Sequence, residues 1–258
     1  MTRGVDQLSD WAAVQEGNTG HGRLHLRCTN DVAVQIERRL GDALAPRLPV
    51  REQDRGEWTH RYPMHRALSG DEVGFIELLT KVLTLRLGAP VSVGIALDYY
   101  KDPSSHEDPQ HWVNTRIGEL VHQGKYLDVD AAGAELSKEL AQFMDRHPDL
   151  QRAEVIVNVP SHSERRFSER LAAAVGRIRG IAVVTMKDDA QVPIKDTDPA
   201  DRPSRTYSVD RDAVNGKRVV VIDDVSRTGE SLRSAAQHVM AAGARDVSVL
   251  VAVRTMRN

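Results

Sequence analysis

Apolar residues along this chain follow two different rhythms, and the change from one to the other divides it. In residues 31–45, DVAVQIERRLGDALA, and 71–88, DEVGFIELLTKVLTLRLG, they recur three and four apart, and each segment opens on an Asp. This spacing predicts two helices, the second ending at its Gly. VSVGIALDYY (91–100) reads as a strand. Beyond residue 111 the pattern alternates. GAELSKELAQFM is helical and EVIVNVP a strand; ERRFSERLAAAVGRI is helical, and IAVVTM and VVVIDD are strands; ESLRSAAQHVMAAGA is helical and VSVLVAV a strand. Unbroken β-branched runs between helices predict strands buried on both faces, and therefore an α/β fold built on a parallel sheet.

Two stretches interrupt this order. KDPSSHEDPQH (101–111) gathers prolines, serines and charges, and it sets the expected boundary between an N-terminal extension, 1–105, and a second domain, 106–258. Residues 186–217, MKDDAQVPIKDTDPADRPSRTYSVDRDAVNGK, are long, charged and poor in apolar residues. Such a segment inside a compact domain is a lid, a binding loop or disorder, and its place directly before an acidic motif favours a lid. No internal repeat or low-complexity tract is present.

Composition narrows the function classes. The formal charge is −2 over 258 residues, so no global basic field draws the chain to nucleic acid, although a local phosphate site stays open. The single cysteine forms no internal disulfide or cysteine-based zinc site, which suits a reducing compartment. The opening residues lack an apolar signal core, and no run approaches the ~20 apolar residues of a membrane span. The expectation is a soluble cytoplasmic protein with no membrane partner.

The candidate chemistry lies in VVVIDDVSRTGES, residues 219–231. In a parallel sheet, ligands bind beyond the carboxyl ends of the strands, so Asp223 and Asp224 are expected to project into that crevice. The turn then leads into a helix whose first free amides and positive dipole end suit a phosphate. Gly229 permits close backbone approach, and Thr228 and Ser231 add hydroxyl donors. Carboxylates beside a phosphate nest need another recipient, and neighbouring sugar hydroxyls supply one. A sugar phosphate fits the stretch.

This stretch resembles the phosphoribosyl-pyrophosphate motif of type I phosphoribosyltransferases. Upstream, HWVNTRIGELVHQGKYLDVDAAGAELSKELAQFM and IVNVPSHSERRFSERLAAAV resemble the ComF-like branch of that family, with its Lys-Tyr element, Val-Pro-x-His turn and Arg-Phe helix. The resemblance covers about residues 110–258. The ComF cysteine finger is absent. The resemblance implies the type I phosphoribosyltransferase fold with an N-terminal α/β extension. It implies that Asp223 and Asp224 hold the ribose hydroxyls, and that Ser226, Arg227, Thr228, Gly229, Glu230 and Ser231 hold the 5-phosphate, mostly through backbone amides. Pro160, Ser161 and His162 would form the pyrophosphate loop, and Lys187 and Arg205 would supply positive charge. It also implies Mg2+ bound mainly through phosphoribosyl pyrophosphate, with no dedicated protein metal cage.

The expected activity is therefore transfer of phosphoribose to an unidentified nitrogenous acceptor with release of pyrophosphate. Two other readings stay open: a non-catalytic sensor of the activated sugar, and a ComF-like accessory protein of DNA uptake or processing. A homodimer is compatible with all three. Residues 1–105 could serve as an acceptor hood, an oligomer contact or an independent domain. Asp-Asp after a buried strand is also a common turn and helix cap, and Lys187, Arg205 and His162 are equally readable as solvated or turn residues. Arg165 and Arg166 are readable as the exposed start of a helix. The remaining histidines lack metal-ligand spacing, and Trp11, Trp58 and Trp112 are too scattered for a base-stacking platform.

Overall fold

The computed structural model describes residues 7–15, 22–161, 165–188 and 207–256, and the chain forms two compact units, Met1–Arg86 and Leu87–Asn258. In the first unit, β1 (Asp10–Gln15), β2 (Gly22–Arg27) and β3 (His60–Met64) make an antiparallel sheet in that order. β2 alternates in period two, with Leu24 and Leu26 buried and Arg23 and His25 turned the other way. α1 (Asn30–Leu40) lays Val32, Ala33, Ile36 and Leu40 into the core. It stops short of residue 45 because Gly41 turns the backbone to φ +44°. α2 (Gly70–Leu79) starts at a capping box: Ser69 Oγ accepts from Glu72 N, and Glu72 Oε2 accepts from Ser69 N at 2.7 Å. It ends well before Gly88. β-branched and polar residues from Thr80 onward break the helix, and Leu83–Thr84 is extended as β4.

The second unit is the α/β body. Its elements are β5 (Val91–Tyr99), α3 (Arg116–Tyr126), α4 (Asp130–Arg146), α5 (Pro148–Gln151), β6 (Val155–Asn158), α6 (Phe167–Arg179) and β7 (Ala182–Thr185). They continue with β8 (Lys187–Asp188), β9 (Tyr207–Ser208), α7 (Arg211–Val214), β10 (Arg218–Ser226), α8 (Glu230–Ala241) and β11 (Asp246–Arg254). Within the unit the main strands lie in the order β5-β11-β10-β6-β7, and each of these pairings is parallel. All of β6 is buried, as is β11 between its end residues, as the continuous apolar runs predict.

The contact division at Arg86/Leu87 falls earlier than the boundary expected from the Pro-rich stretch. The cause is β5, which precedes that stretch yet pairs along its length with β11. Residues 101–111 form a loop of the second unit. It is tied back by Asp102 N to Val113 O at 2.9 Å and turned by Asp102 Oδ1 accepting from Ser104 N at 2.8 Å. Of the expected lid, only the stem lies among the described residues: β8 and β9 pair antiparallel, Lys187 opposite Ser208 and Asp188 opposite Tyr207. Among the described residues no helix is long and apolar enough to cross a membrane.

Candidate functional site

The order of the parallel strands locates the site. From β6 the chain moves outward to β7, then returns to the other side of β6 as β10 and continues outward as β11. The crossing direction therefore reverses between β6 and β10, and a crevice opens there at the carboxyl ends of the strands. Ile222 is in register with Asn158, and Val159 N donates to Ile222 O at 3.2 Å. Pro160 and Ser161, leaving β6, thus lie on the same edge as Asp223 and Asp224, leaving the buried stretch of β10. Thr185 is in register with Asn158 on the other side, so Lys187, exposed two residues later, follows on that edge.

The two acids have different surroundings. Asp224 is buried, and its Oδ2 lies 2.9 Å from Lys125 Nζ in the last turn of α3. Burial pulls the Lys125 ammonium down, but the charge and hydrogen bond of Asp224 outweigh it, and the group titrates above its ordinary value. Asp223 accepts a hydrogen bond from Asp224 N at 2.9 Å. Desolvation, and then the charge of Asp224, push its carboxyl well above the ordinary carboxylate range. The pair is thus one cation-matched acid beside one that favours its proton.

Several contacts hold α3 where Lys125 can reach. Thr115 caps its start, accepting from Gly118 N at 2.9 Å and donating to Tyr99 O at 2.6 Å. A side chain at Gly118 would place its Cβ 1.9 Å from Tyr100 O, so only glycine permits this close seat of helix on strand end. At the other end Arg165 donates to Lys125 O at 3.3 Å and to Tyr126 O. Arg165 therefore closes the last turn of α3 instead of standing as a free helix start. Arg166 takes a left-handed conformation at φ +46° as the N-cap of α6 and lies 3.6 Å from Glu169.

Downstream, Ser226 is buried and its carbonyl accepts from Thr255 N at 2.9 Å. Arg227, Thr228 and Glu230 are exposed around Gly229, which is buried at φ +79° and begins α8. Thr228 Oγ1 accepts from Glu230 N at 3.3 Å, while the first-turn amides of Ser231 and Leu232 have no acceptor within the helix. The loop is thus an open turn of main-chain nitrogens over a helix N-terminus. His162 and Arg205 lie outside the described residues.

Lys125 was not among the expected site residues, although the Lys-Tyr dipeptide was visible in the sequence. An amphipathic helix presents many lysines, and nothing local marks the one whose stem reaches a strand end distant in sequence. Tyr100 is a second such residue: burial above all pushes its phenol up, and its hydroxyl lies 3.4 Å from His122 Nδ1.

The family profile described as phosphoribosyl transferase domain matches residues 122–258, more than half of the chain. No curated protein matches in sequence. Among solved structures, adenine phosphoribosyltransferase from Leishmania tarentolae is 14% identical over 67% of this chain and 81% of its own, with a TM-score of 0.44. The Giardia lamblia enzyme of that name is 17% identical over 51% and 83%, with a TM-score of 0.40. Glutamine phosphoribosylpyrophosphate amidotransferase from B. subtilis is 26% identical over 46% of this chain and 25% of its own, with a TM-score of 0.36. The chain thus spans about a quarter of that enzyme, and these likenesses are partial. By the match over residues 122–258, the chain belongs to the phosphoribosyl transferase domain family.

Proposed function

We propose that the second unit binds phosphoribosyl pyrophosphate at the β6/β10 edge and transfers its phosphoribosyl group to a nitrogenous acceptor. The observation that carries the reading is the placement of Asp223 and Asp224 at the point where strand order reverses, directly before the open turn at Gly229. In the reaction the bond from the anomeric carbon to the pyrophosphate oxygen breaks, and its electron pair leaves with pyrophosphate. A bond from that carbon to the acceptor nitrogen forms, and the acceptor releases a proton.

In this reading Asp224, paired with Lys125, accepts a hydrogen bond from one ribose hydroxyl, and Asp223 engages the neighbouring one. The amides around Gly229 take the 5-phosphate. Pro160 and Ser161 line the pyrophosphate, with Lys187 as the charge supplied from the β7 side and Arg205 as a further candidate. Charge placed where the leaving group becomes anionic is worth on the order of 3 kcal/mol of transition-state stabilisation per donor.

Magnesium, where bound, neutralises the pyrophosphate. The oxygen ligands this chain offers nearby are Asp223 and Asp224, and among the described residues no three His, Cys, Asp or Glu side chains come together as a metal cage. The donor set therefore fits an ion carried by the substrate. Membership of the ComF-like branch is supported by the Lys-Tyr element, since its lysine reaches the acidic pair. A reducing, cytoplasmic setting is supported by the one cysteine, Cys28, being buried and free.

Calorimetric titration with phosphoribosyl pyrophosphate and magnesium tests the reading. Saturable binding is expected to be largely lost in Asp223→Asn/Asp224→Asn, and equal binding by the two chains would overturn it. Pyrophosphate release with an amine or base separates a transferase from a sensor that only binds.

A further inference from the structure

The sheet of the first unit has two chemically unlike faces. Leu24, Leu26 and Tyr62 are buried on one, where the Tyr62 hydroxyl donates to Glu37 Oε1 of α1 at 2.7 Å. The register puts His25 between Ala12 of β1 and Arg61 of β3, and Arg23 between Val14 and Pro63, on the other. Residues opposite one another on paired strands stand about 5 Å apart at Cβ, so His25 and Arg61 are immediate neighbours. Trp58 flanks them, its ring edge-on to the His25 imidazole with centroids 5.6 Å apart.

Two polar groups stand out on this face. Arg61 is 9% exposed as a residue, and none of its guanidinium nitrogens is a fully buried atom lacking a partner, so the head group meets solvent on this face. His25 Nδ1 is buried and has no hydrogen-bond partner. The Arg61 fork is therefore open to an anion arriving from solvent, beside the one buried His25 nitrogen that lacks a partner. The nearby charges are mostly positive. Burial, then Arg61, Arg23 and Arg51, push the His25 imidazole below its ordinary value, and Asp54 alone opposes them.

We propose that this face binds a phosphate group, carried by a nucleotide or by a nucleic-acid strand. The fork of Arg61 matches two oxygens of one phosphate, a geometry that lysine does not offer. His25 Nδ1 supplies a third contact once the imidazole carries a proton there. Arg51, exposed at the rim, adds charge, and Trp58 adds an aromatic surface beside the anion. The near-zero net charge of the whole chain does not oppose this, since the positive charge is local to one sheet face.

The test uses the full chain and three probes: inorganic phosphate, adenosine monophosphate and a single-stranded oligothymidylate. The His25 ring-proton NMR signal reports this face alone. It is expected to shift saturably, and the His25 titration midpoint is expected to rise in the complex. By linkage, affinity then strengthens as pH falls through the midpoint of the free imidazole. Arg61→Gln should weaken binding at least tenfold, because it removes the guanidinium fork that faces the anion. Arg51→Gln, at an exposed position, should weaken binding a few-fold without touching the fold.

Preference for the oligonucleotide, with a steep loss of affinity in salt, identifies a strand as the source. Equal binding of the mononucleotide identifies a nucleotide. The proposal is overturned if no probe moves the His25 signal at millimolar concentration, or if both arginine variants bind as the native chain does. It is also overturned if Asp223→Asn/Asp224→Asn abolishes the His25 shift, which would place the anion in the second unit.

Discussion

Replacing Lys125 by Met keeps most of the side chain's length and removes its charge, so Asp224 loses the ammonium that lies 2.9 Å from its carboxylate. At an effective dielectric constant of about 20, two unit charges at that separation attract by about 6 kcal/mol. Most of this is offset by the desolvation of both groups, and the pair is worth little more than two apolar residues in its place. Removing one partner is different, because the remaining charge keeps its desolvation and loses its match. Such truncations cost about 3–5 kcal/mol. The Lys125 side chain is 25% exposed and Asp224 7%, so some water can enter, and the lower end, about 3 kcal/mol at neutral pH, is expected.

The assay is urea unfolding followed by Trp112, the buried tryptophan of the second unit, with Trp11 and Trp58 of the first unit changed to Phe throughout. With a slope of about 2 kcal/mol per molar, Lys125→Met should lower the midpoint by about 1.5 M. Asp224→Asn alone should cost less, since the lysine head can turn to water, and the double variant should recover part of the Lys125→Met loss. A coupling energy near 2 kcal/mol is expected from the cycle. A value under about 0.5 kcal/mol, the range of independent sites, would refute the argument and make the ion pair a screened surface contact.

Two further outcomes follow from the same site. Because the folded-state pKa of Asp223 lies above its unfolded value, the native state holds the extra proton, and stability should fall as pH rises from about 4 toward that raised value. Asp223→Asn should flatten this slope in unfolding curves taken across pH, and superimposable profiles would reject the shift. Gly229→Ala forces a side chain into φ +79° and brings its Cβ within 2.6 Å of Leu87 Cδ2. A loss of about 1–2 kcal/mol in stability is expected, together with weaker phosphoribosyl pyrophosphate binding by calorimetry; unchanged values would show that the turn is not tied to the helix start.

The parallel body was legible because its strands are buried on both faces, and burial leaves the same mark on all of β6, on Val219–Ile222 of β10 and on β11 between its end residues. The acidic pair was legible for the same reason, as the point where that mark stops. The antiparallel sheet of the first unit was not. In β2 arginine and histidine alternate with leucine over only six residues, and β1 is exposed along much of its length. The helix ends were misplaced where a backbone turn at Gly41 or the β-branched residues Thr80, Val82 and Thr84 decided the matter, and spacing alone records neither. The boundary was displaced because a proline-rich loop looks the same within a unit as between units, and only the pairing of β5 with β11 assigns it.

The difference between the two acids carries a consequence for how the site meets its ligand. If both were ionised and unmatched, the pair would repel the phosphates that the proposed reading assigns to the turn at Gly229. Lys125 cancels one charge, and burial suppresses the other. The edge of the sheet can therefore hold hydrogen-bonding carboxyl oxygens beside a phosphate cup without presenting a double negative charge to an incoming polyanion. A cation brought in with that anion would favour release of the Asp223 proton, so binding with magnesium should liberate protons. That release would appear as a binding enthalpy that changes with the ionisation enthalpy of the buffer. Asp223→Asn should abolish the buffer dependence while leaving the Lys125–Asp224 pair in place.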